Sequence, residues 1–131
     1  MNLNNESVKP IYVQISEWLE NQILNGNIGV DEKMFSQYQL ADMYNINPAT
    51  AAKGLTILLN ENILYKKRGL GMFVSIGAKE LIFSKRKNET LKDLIAELLA
   101  EASLLDVQEE ELFQMIRTIK AKNGGDSNEC N

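Results

Sequence analysis

The segment 36–73 most restricts what this chain can fold into, because its local pattern switches at closely spaced, punctuated points. Ser36-Gln-Tyr-Gln39 has the form of a capping box, in which the serine oxygen takes an orphan backbone N–H and the glutamine reaches back. Leu40, Ala41 and Met43 continue as an apolar stripe, predicting a helix over 37–44. Tyr44-Asn45-Ile46 makes a turn, and Asn47-Pro48 opens a helix over 48–61 with an N-cap and proline at the first helical position. Asn62 then stands where a left-handed cap is needed, a conformation asparagine tolerates. Two strands, 63–67 and 72–76, flank Arg68-Gly69-Leu70-Gly71. A short helix pair followed by a basic hairpin is the layout of a winged helix-turn-helix, which sets its second helix in a DNA major groove.

The flanks fit one winged domain over 8–76. Residues 1–7 read as a flexible tail. Pro10 starts a helix in which Ile11, Ile15, Leu19 and Ile23 repeat every four residues, with Tyr12 and Trp18 beside them. Gly26 fits its stop, 28–33 is a loop, and Met34-Phe35 pairs briefly with the wing. In the helix 48–61, Ala51, Leu55, Leu58 and Leu59 face inward; Trp18 and Phe73 are assigned to the core. Beyond Gly77, residues 78–105 form a long helical stretch that Asp106 interrupts, and 107–120 resumes it. These helices carry more apolar surface than a small winged domain covers. A second copy of the chain is the simplest cover, two-fold homo-oligomers being commonest, with Leu91, Leu94, Ile95, Leu98, Leu99, Leu112 and Ile116 at the interface. The alternative is that they fold back onto their own domain. The expected fold is therefore mainly α with a small β-hairpin, an N-terminal winged helix-turn-helix followed by a helical dimerisation region over 77–121. A second flexible tail covers 122–131.

Composition limits the chemistry. Fourteen basic against eighteen acidic side chains give a net charge of −4, which opposes nucleic acid until its distribution is considered. Between Ile46 and Ile76, Lys53, Lys66, Lys67 and Arg68 face Glu61 alone, and local charge sets the local field. The chain has no histidine, which removes the commonest general base and transition-metal ligand together. It shows no phosphate loop or paired-acid motif, and Glu109-Glu110-Glu111 suits the negative first turn of a helix. No catalytic residue, metal or cofactor is expected. The single cysteine, Cys130, has no internal partner, and there is no signal peptide or long apolar run. Those features predict a cytoplasmic protein without a membrane partner.

Only the first turns of a recognition helix reach base edges, which makes Asn47, Ala49, Thr50 and Lys53 the candidates there. Asn47 is better explained as an N-cap alone, and Ala49 with Ala52 equally well as helix formers. Lys53 falls on the face away from Leu55 and Leu58 and should point outward. In the wing, Lys66 and Arg68 suit phosphates, while Gly69 and Gly71 let the backbone approach the minor groove. Ser36, Gln37 and Tyr38 lie at a helix N-terminus, where backbone N–H groups favour anions. Double-stranded DNA is the partner implied. A winged module that binds protein without specific DNA recognition is the competing reading, since fold does not fix function. A small-molecule effector is left open, and no residue cluster names one.

Several motifs in order resemble the GntR superfamily of bacterial transcription regulators: Pro10-Ile-Tyr-Val-Gln-Ile15, Ile23-Leu-Asn-Gly26, Ser36 with Leu40-Ala41, Asn47-Pro-Ala-Thr50, Leu55 and Arg68-Gly-Leu-Gly-Met-Phe-Val74. The short two-helix C-terminal part is similar to its YtrA-type branch. The resemblance covers 8–76 closely and 77–121 by helix pattern. It implies a dimeric repressor on an inverted-repeat operator, in a branch that often controls transporter operons. Two departures stand out. Where relatives usually have Pro-Ser-x-Arg, this chain has Phe35-Ser36-Gln37-Tyr38, and its recognition helix has Pro48, Ala52 and Lys53 in place of arginines. Arginine forks guanine with two hydrogen bonds, a contact worth about 1–3 kcal/mol of discrimination, so the resemblance does not by itself imply a guanine-rich consensus for this chain.

Overall fold

The computed structural model describes residue 3 and residues 8–127 of the 131-residue chain. Most of the two expected tails, Cys130 included, lies outside the described residues. The described chain forms α1 (Ile11–Leu24), α2 (Gln37–Tyr44), α3 (Pro48–Asn60), a hairpin of β1 (Leu64–Lys67) and β2 (Gly71–Val74), α4 (Ala78–Lys85), a π-helical turn (Arg86–Thr90), α5 (Leu91–Leu104) and α6 (Glu109–Ser127). It divides into two compact units, Met1–Arg86 and Lys87–Asn131.

Local chemistry sets the boundaries of the first unit. Ser36 Oγ accepts from Gln39 N–H at 3.1 Å while Gln39 Oε1 accepts from Ser36 N–H at 2.8 Å, so the capping box closes in both directions. Asn45, at φ 53°, ends α2 in the left-handed region. Asn47 Oδ1 accepts from Ala49 N–H at 2.8 Å, and Pro48 follows at the start of α3. Asn62, at φ 63°, turns the chain out of α3 and into the hairpin.

The core of this unit is built from one stripe of each helix. Ile15, Leu19 and Ile23 of α1, Leu40 of α2, and Ala51, Leu55 and Leu58 of α3 are buried together with Ile63, Leu64 and Val74 of the hairpin. Each fully buried leucine or isoleucine contributes about 1.5–3 kcal/mol. Trp18 sits at the margin, its ring 5.7 Å from Phe35 and 5.4 Å edge-on from Tyr44. Burial at this edge raises the Tyr44 phenol pKa. α1 and α3 meet unusually closely at Gly54, where an added Cβ would lie 2.9 Å from the Tyr12 carbonyl oxygen and 2.8 Å from Ile15 Cγ2.

The first unit extends past residue 76, the boundary expected for the winged domain. Ala78 and Ile82 of α4 join its core, and the end of α4 is tied to α1. Glu20 is buried, and its Oε2 accepts from Lys85 Nζ at 2.6 Å. Lys85 also donates to Glu61 at 2.7 Å. Arg86 donates to Asn21 Oδ1 at 2.6 Å and pairs with Glu20 Oε1 only at 3.7 Å, leaving that oxygen without a hydrogen bond. Burial works to lower the Lys85 pKa, but hydrogen bonds to Glu20 and Glu61 outweigh it and hold the ammonium above its ordinary value.

The second unit is a helical hairpin. Asp106, at φ 57°, breaks the helices where the sequence places the interruption, and Val107 N–H donates back to Ala102 at 2.9 Å. Ala102 and Leu112 are its buried residues, whereas Leu91, Leu94, Ile95, Leu98, Leu99 and Ile116 are 43–54% exposed. Leu112, grouped with those six in the sequence, is 7% exposed and closed in by the turn. α6 also continues to Ser127, through Gly124-Gly125 where the sequence predicts a tail. Glycine in a helix costs only about 1 kcal/mol each, which does not end α6 at this point. No helix among the described residues is long and apolar enough to cross a membrane.

Candidate nucleic-acid interface

The first unit presents the predicted side chains on α3, at the start of α2 and on the wing. On α3, Asn47, Ala49 and Lys53 are exposed and Thr50 is half-buried. Asn47 does cap the helix through its oxygen, which leaves its amide N–H₂ available. Ala49 and Thr50 lie in the first turn, where small side chains permit close approach of the helix to another surface. Lys53 points outward as the periodicity predicts, but its ammonium lies 5.5 Å from the centre of the Tyr12 ring. At the start of α2, Ser36 spends its oxygen on the capping box, Gln37 is half-buried, and Tyr38 is 69% exposed.

The wing is an antiparallel hairpin with Leu64 opposite Val74, Tyr65 opposite Phe73, Lys66 opposite Met72 and Lys67 opposite Gly71. Its tip closes through Leu70 N–H donating to Lys67 C=O at 2.9 Å, with Gly69 at φ 78° and Gly71 at φ 113°. Both angles favour glycine, so the turn demands these residues whether or not a ligand is present. Alternation sends Lys66 to the side of the buried Leu64 and Val74, and Lys67 to the opposite side. There Tyr65 and Phe73 stack with centroids 5.9 Å apart, and Lys67 Nζ rests 4.5 Å over Phe73. Tyr65 donates its hydroxyl to Asp31 at 2.6 Å, a bond that raises the phenol pKa.

Phe73 is therefore half-exposed on the outer wing and not in the core, to which the sequence assigns it. The apolar alternation of a two-residue period cannot say which face a short edge hairpin buries. Lys66 and Arg68, by contrast, are exposed with no hydrogen bond or ion pair among the described residues.

Sequence reasoning missed one cation. Lys33 forms an isolated antiparallel bridge to Phe73; Met34 N–H donates to Met72 C=O at 2.8 Å, in line with the predicted pairing of that segment. The Lys33 side chain runs beside Gly71, where an added Cβ would lie 3.0 Å from Lys33 Cε. Only the pairing of the strand with distant β2 brings it there, and nothing in its own neighbourhood signals this. Lys33, Lys66, Lys67 and Arg68 thus gather on one hairpin, and α3 packs against β1 of the same hairpin.

No family model matches the chain. It is 31% identical over 124 residues to the transcriptional repressor YtrA of Bacillus subtilis, spanning 94% of this chain and 95% of that protein. It is 41% identical over 75 residues to the transcriptional repressor NagR of Bacillus subtilis, which covers 57% of this chain but only about a third, 31%, of NagR. Among solved structures, a GntR-family transcriptional regulator from Bacteroides thetaiotaomicron superposes with a TM-score of 0.72 at 28% identity, covering 87% of this chain and 99% of that one. The DNA-binding domain of AraR, crystallised with an operator, gives 0.50 at 27% identity over 57% of this chain and 90% of its own. A repressor matched along nearly its whole length and a regulator sharing the fold place the capped helix pair, hairpin and two-helix C-terminal part together: the chain belongs to the GntR family of transcriptional regulators.

Proposed function

We propose that this protein is a DNA-binding repressor that acts in the cytoplasm as a two-fold dimer on an inverted-repeat operator. α3 enters the major groove with Asn47, Ala49, Thr50 and Lys53 toward the base edges. The wing tip, with Lys66, Arg68, Gly69 and Gly71, follows the adjacent backbone and minor groove, and Ser36, Gln37 and Tyr38 approach phosphates from the start of α2. The observation that carries this reading is the pairing state of the charges: the wing cations have no carboxylate partner among the described residues. The similarity to the repressors YtrA and NagR and to the AraR domain crystallised with an operator supports it.

Dimerisation is supported by the exposed apolar stripe of α5, Leu91, Leu94, Ile95, Leu98 and Leu99, together with Ile116 of α6. A two-fold dimer brings two recognition helices to one operator, as an inverted repeat requires. Repression needs no effector in this scheme; occupying the operator suffices. The wing and α2 set register, and base discrimination falls to the few small side chains of α3.

A mobility-shift titration with duplexes surrounding the protein's own coding region, against an unrelated duplex of equal length, tests the reading. Binding should prefer one locus fragment and weaken with salt, by about 0.9 in log–log slope for each phosphate contacted. Failure to shift any duplex even in dilute buffer refutes it and leaves the protein-binding module as the better account.

A further inference from the structure

We propose that Tyr12 is a positioning residue for the recognition helix: its ring fixes the direction of Lys53, the only cation α3 carries. This inference rests on the reading that α3 meets DNA, and it adds a residue of α1 to the determinants of that contact.

Three observations converge. Lys53 is exposed and has no carboxylate or hydrogen-bond partner among the described residues; its ammonium lies over the Tyr12 ring, 5.5 Å from the centroid. Tyr12 is itself half-buried in the first turn of α1 and so is not free to follow a moving lysine. Gly54, next to Lys53, removes the side chain that would hold the helices apart, and an added Cβ would stand 2.9 Å from the Tyr12 carbonyl oxygen. The backbone of α1 at Tyr12 is thereby locked to the backbone of α3 beside Lys53. The position of the ring relative to the lysine is a property of the core, not of two independent surface side chains.

The consequence follows from how lysine binds. Its ammonium ends a flexible four-carbon stem, and a contact made by such a group loses the freedom of that stem. A ring face attracts the ammonium without consuming its N–H donors as a carboxylate would, so the charge stays available to a phosphate or a base edge. In a recognition helix without arginine, holding that one cation in a single direction is the means left for giving it a fixed register. Tyr12 has no hydrogen bond to its hydroxyl among the described residues, so the ring and the hydroxyl can be separated by substitution.

The test is a double-mutant cycle on the full chain, read by fluorescence anisotropy with the duplex that the wild-type protein prefers and with an unrelated duplex. Tyr12→Ala, Tyr12→Phe, Tyr12→Leu, Lys53→Met and the Tyr12→Leu/Lys53→Met pair are compared, with circular dichroism and thermal melts to establish folding. An exposed cation–π contact implies a loss of about two- to five-fold in affinity for Tyr12→Leu and Tyr12→Ala. Tyr12→Phe should bind as wild type, and Tyr12→Leu should cost nothing further once Lys53 is methionine. The preference for the locus duplex should narrow in the leucine variant. Tyr12→Leu fills the half-buried site without a ring face, so the cycle can be read even if the alanine variant does not fold. Effects of Tyr12→Leu and Lys53→Met that simply multiply overturn the proposal, as does a phenylalanine variant as weak as the leucine one. Those outcomes leave operator binding standing, whereas a wild-type protein that binds neither duplex removes both inferences.

Discussion

Replacing Gly54 with alanine puts a number on the packing that holds the recognition helix in place. In the interior of α3 the change should help, because alanine is favoured over glycine in a helix by about 1 kcal/mol. The surroundings oppose it. The new methyl would meet Ile15 Cγ2 at 2.8 Å, Ile15 Cβ at 3.1 Å and the Tyr12 carbonyl oxygen at 2.9 Å. None of these is the free end of a flexible side chain. Ile15 is fully buried, and its branched Cβ leaves few rotamers to escape into. The carbonyl belongs to the α1 backbone. Overpacking of this kind costs about 1–3 kcal/mol, and rigid neighbours on two sides place it near the upper end. The net expectation is a loss of about 1.5 kcal/mol, or a fall of roughly 6–12 °C in melting temperature for a unit of this size. Thermal and urea unfolding followed by circular dichroism measures it. A variant that melts at or above the wild-type temperature would show that α1 and α3 separate freely at this point, and the close approach would lose its meaning.

Four further outcomes follow from the same structure. Glu20→Ala should destabilise by about 2 kcal/mol in urea unfolding, less than the 3–5 typical of a broken buried pair, because Lys85 retains Glu61 and some solvent. Lys85 holds its proton more tightly folded than unfolded, so its charge stabilises fully below the ordinary lysine value of 10.5 and the benefit disappears as pH rises through the higher folded value. Melts across pH should therefore show a constant deficit for Lys85→Met up to that value and a shrinking one above it; a deficit that grows with alkalinity would contradict the pairing. Arg68→Ala should weaken binding to operator and unrelated duplex by similar factors and lower the salt slope by about 0.9, measured by anisotropy at several ionic strengths. Leu98→Glu changes a residue 43% exposed within its own unit, so the variant should fold yet sediment as a monomer; an intact dimer would move the interface elsewhere.

Much of the first unit was legible because its signals act over three or four residues. The Ser36–Gln39 box, the Asn47-Pro48 start, the turn at Asn45 and the left-handed Asn62 are local devices, each readable from the hydrogen bonds and dihedrals that those residue types favour. What stayed hidden depends on chain segments far apart in sequence. Glu20 reads as one more polar position on α1 until Lys85 and Arg86 arrive from the other end of the unit. The sequence pattern changes after residue 76 and gives no sign that α4 supplies Ala78 and Ile82 to the core of the first unit. The place of Lys33 and the outward face of Phe73 are hidden for a related reason: the bridge that joins them forms only when β2 pairs on both sides. The expected contact residues of α3 and the wing are exposed or half-buried, but their spacing said nothing of the Tyr12 ring under Lys53.

The net charge of −4 misleads about a DNA-binding surface because charges inside this molecule are sorted by partner as well as by position. Residues 1–86 hold nine basic and eight acidic groups, and residues 87–131 hold five and ten. Within the first unit the acids are largely occupied. Glu17 pairs with Lys9, Glu20 and Glu61 share Lys85, Asp31 accepts the Tyr65 hydroxyl, and Glu32 accepts from Gly29 N–H. The cations of the wing and α3 have no such carboxylates, so the field outside those elements is more positive than a near-neutral count implies. The net negative charge of the whole chain should keep non-specific affinity, which is almost wholly electrostatic, low, and the few contacts of α3 then have less background to overcome.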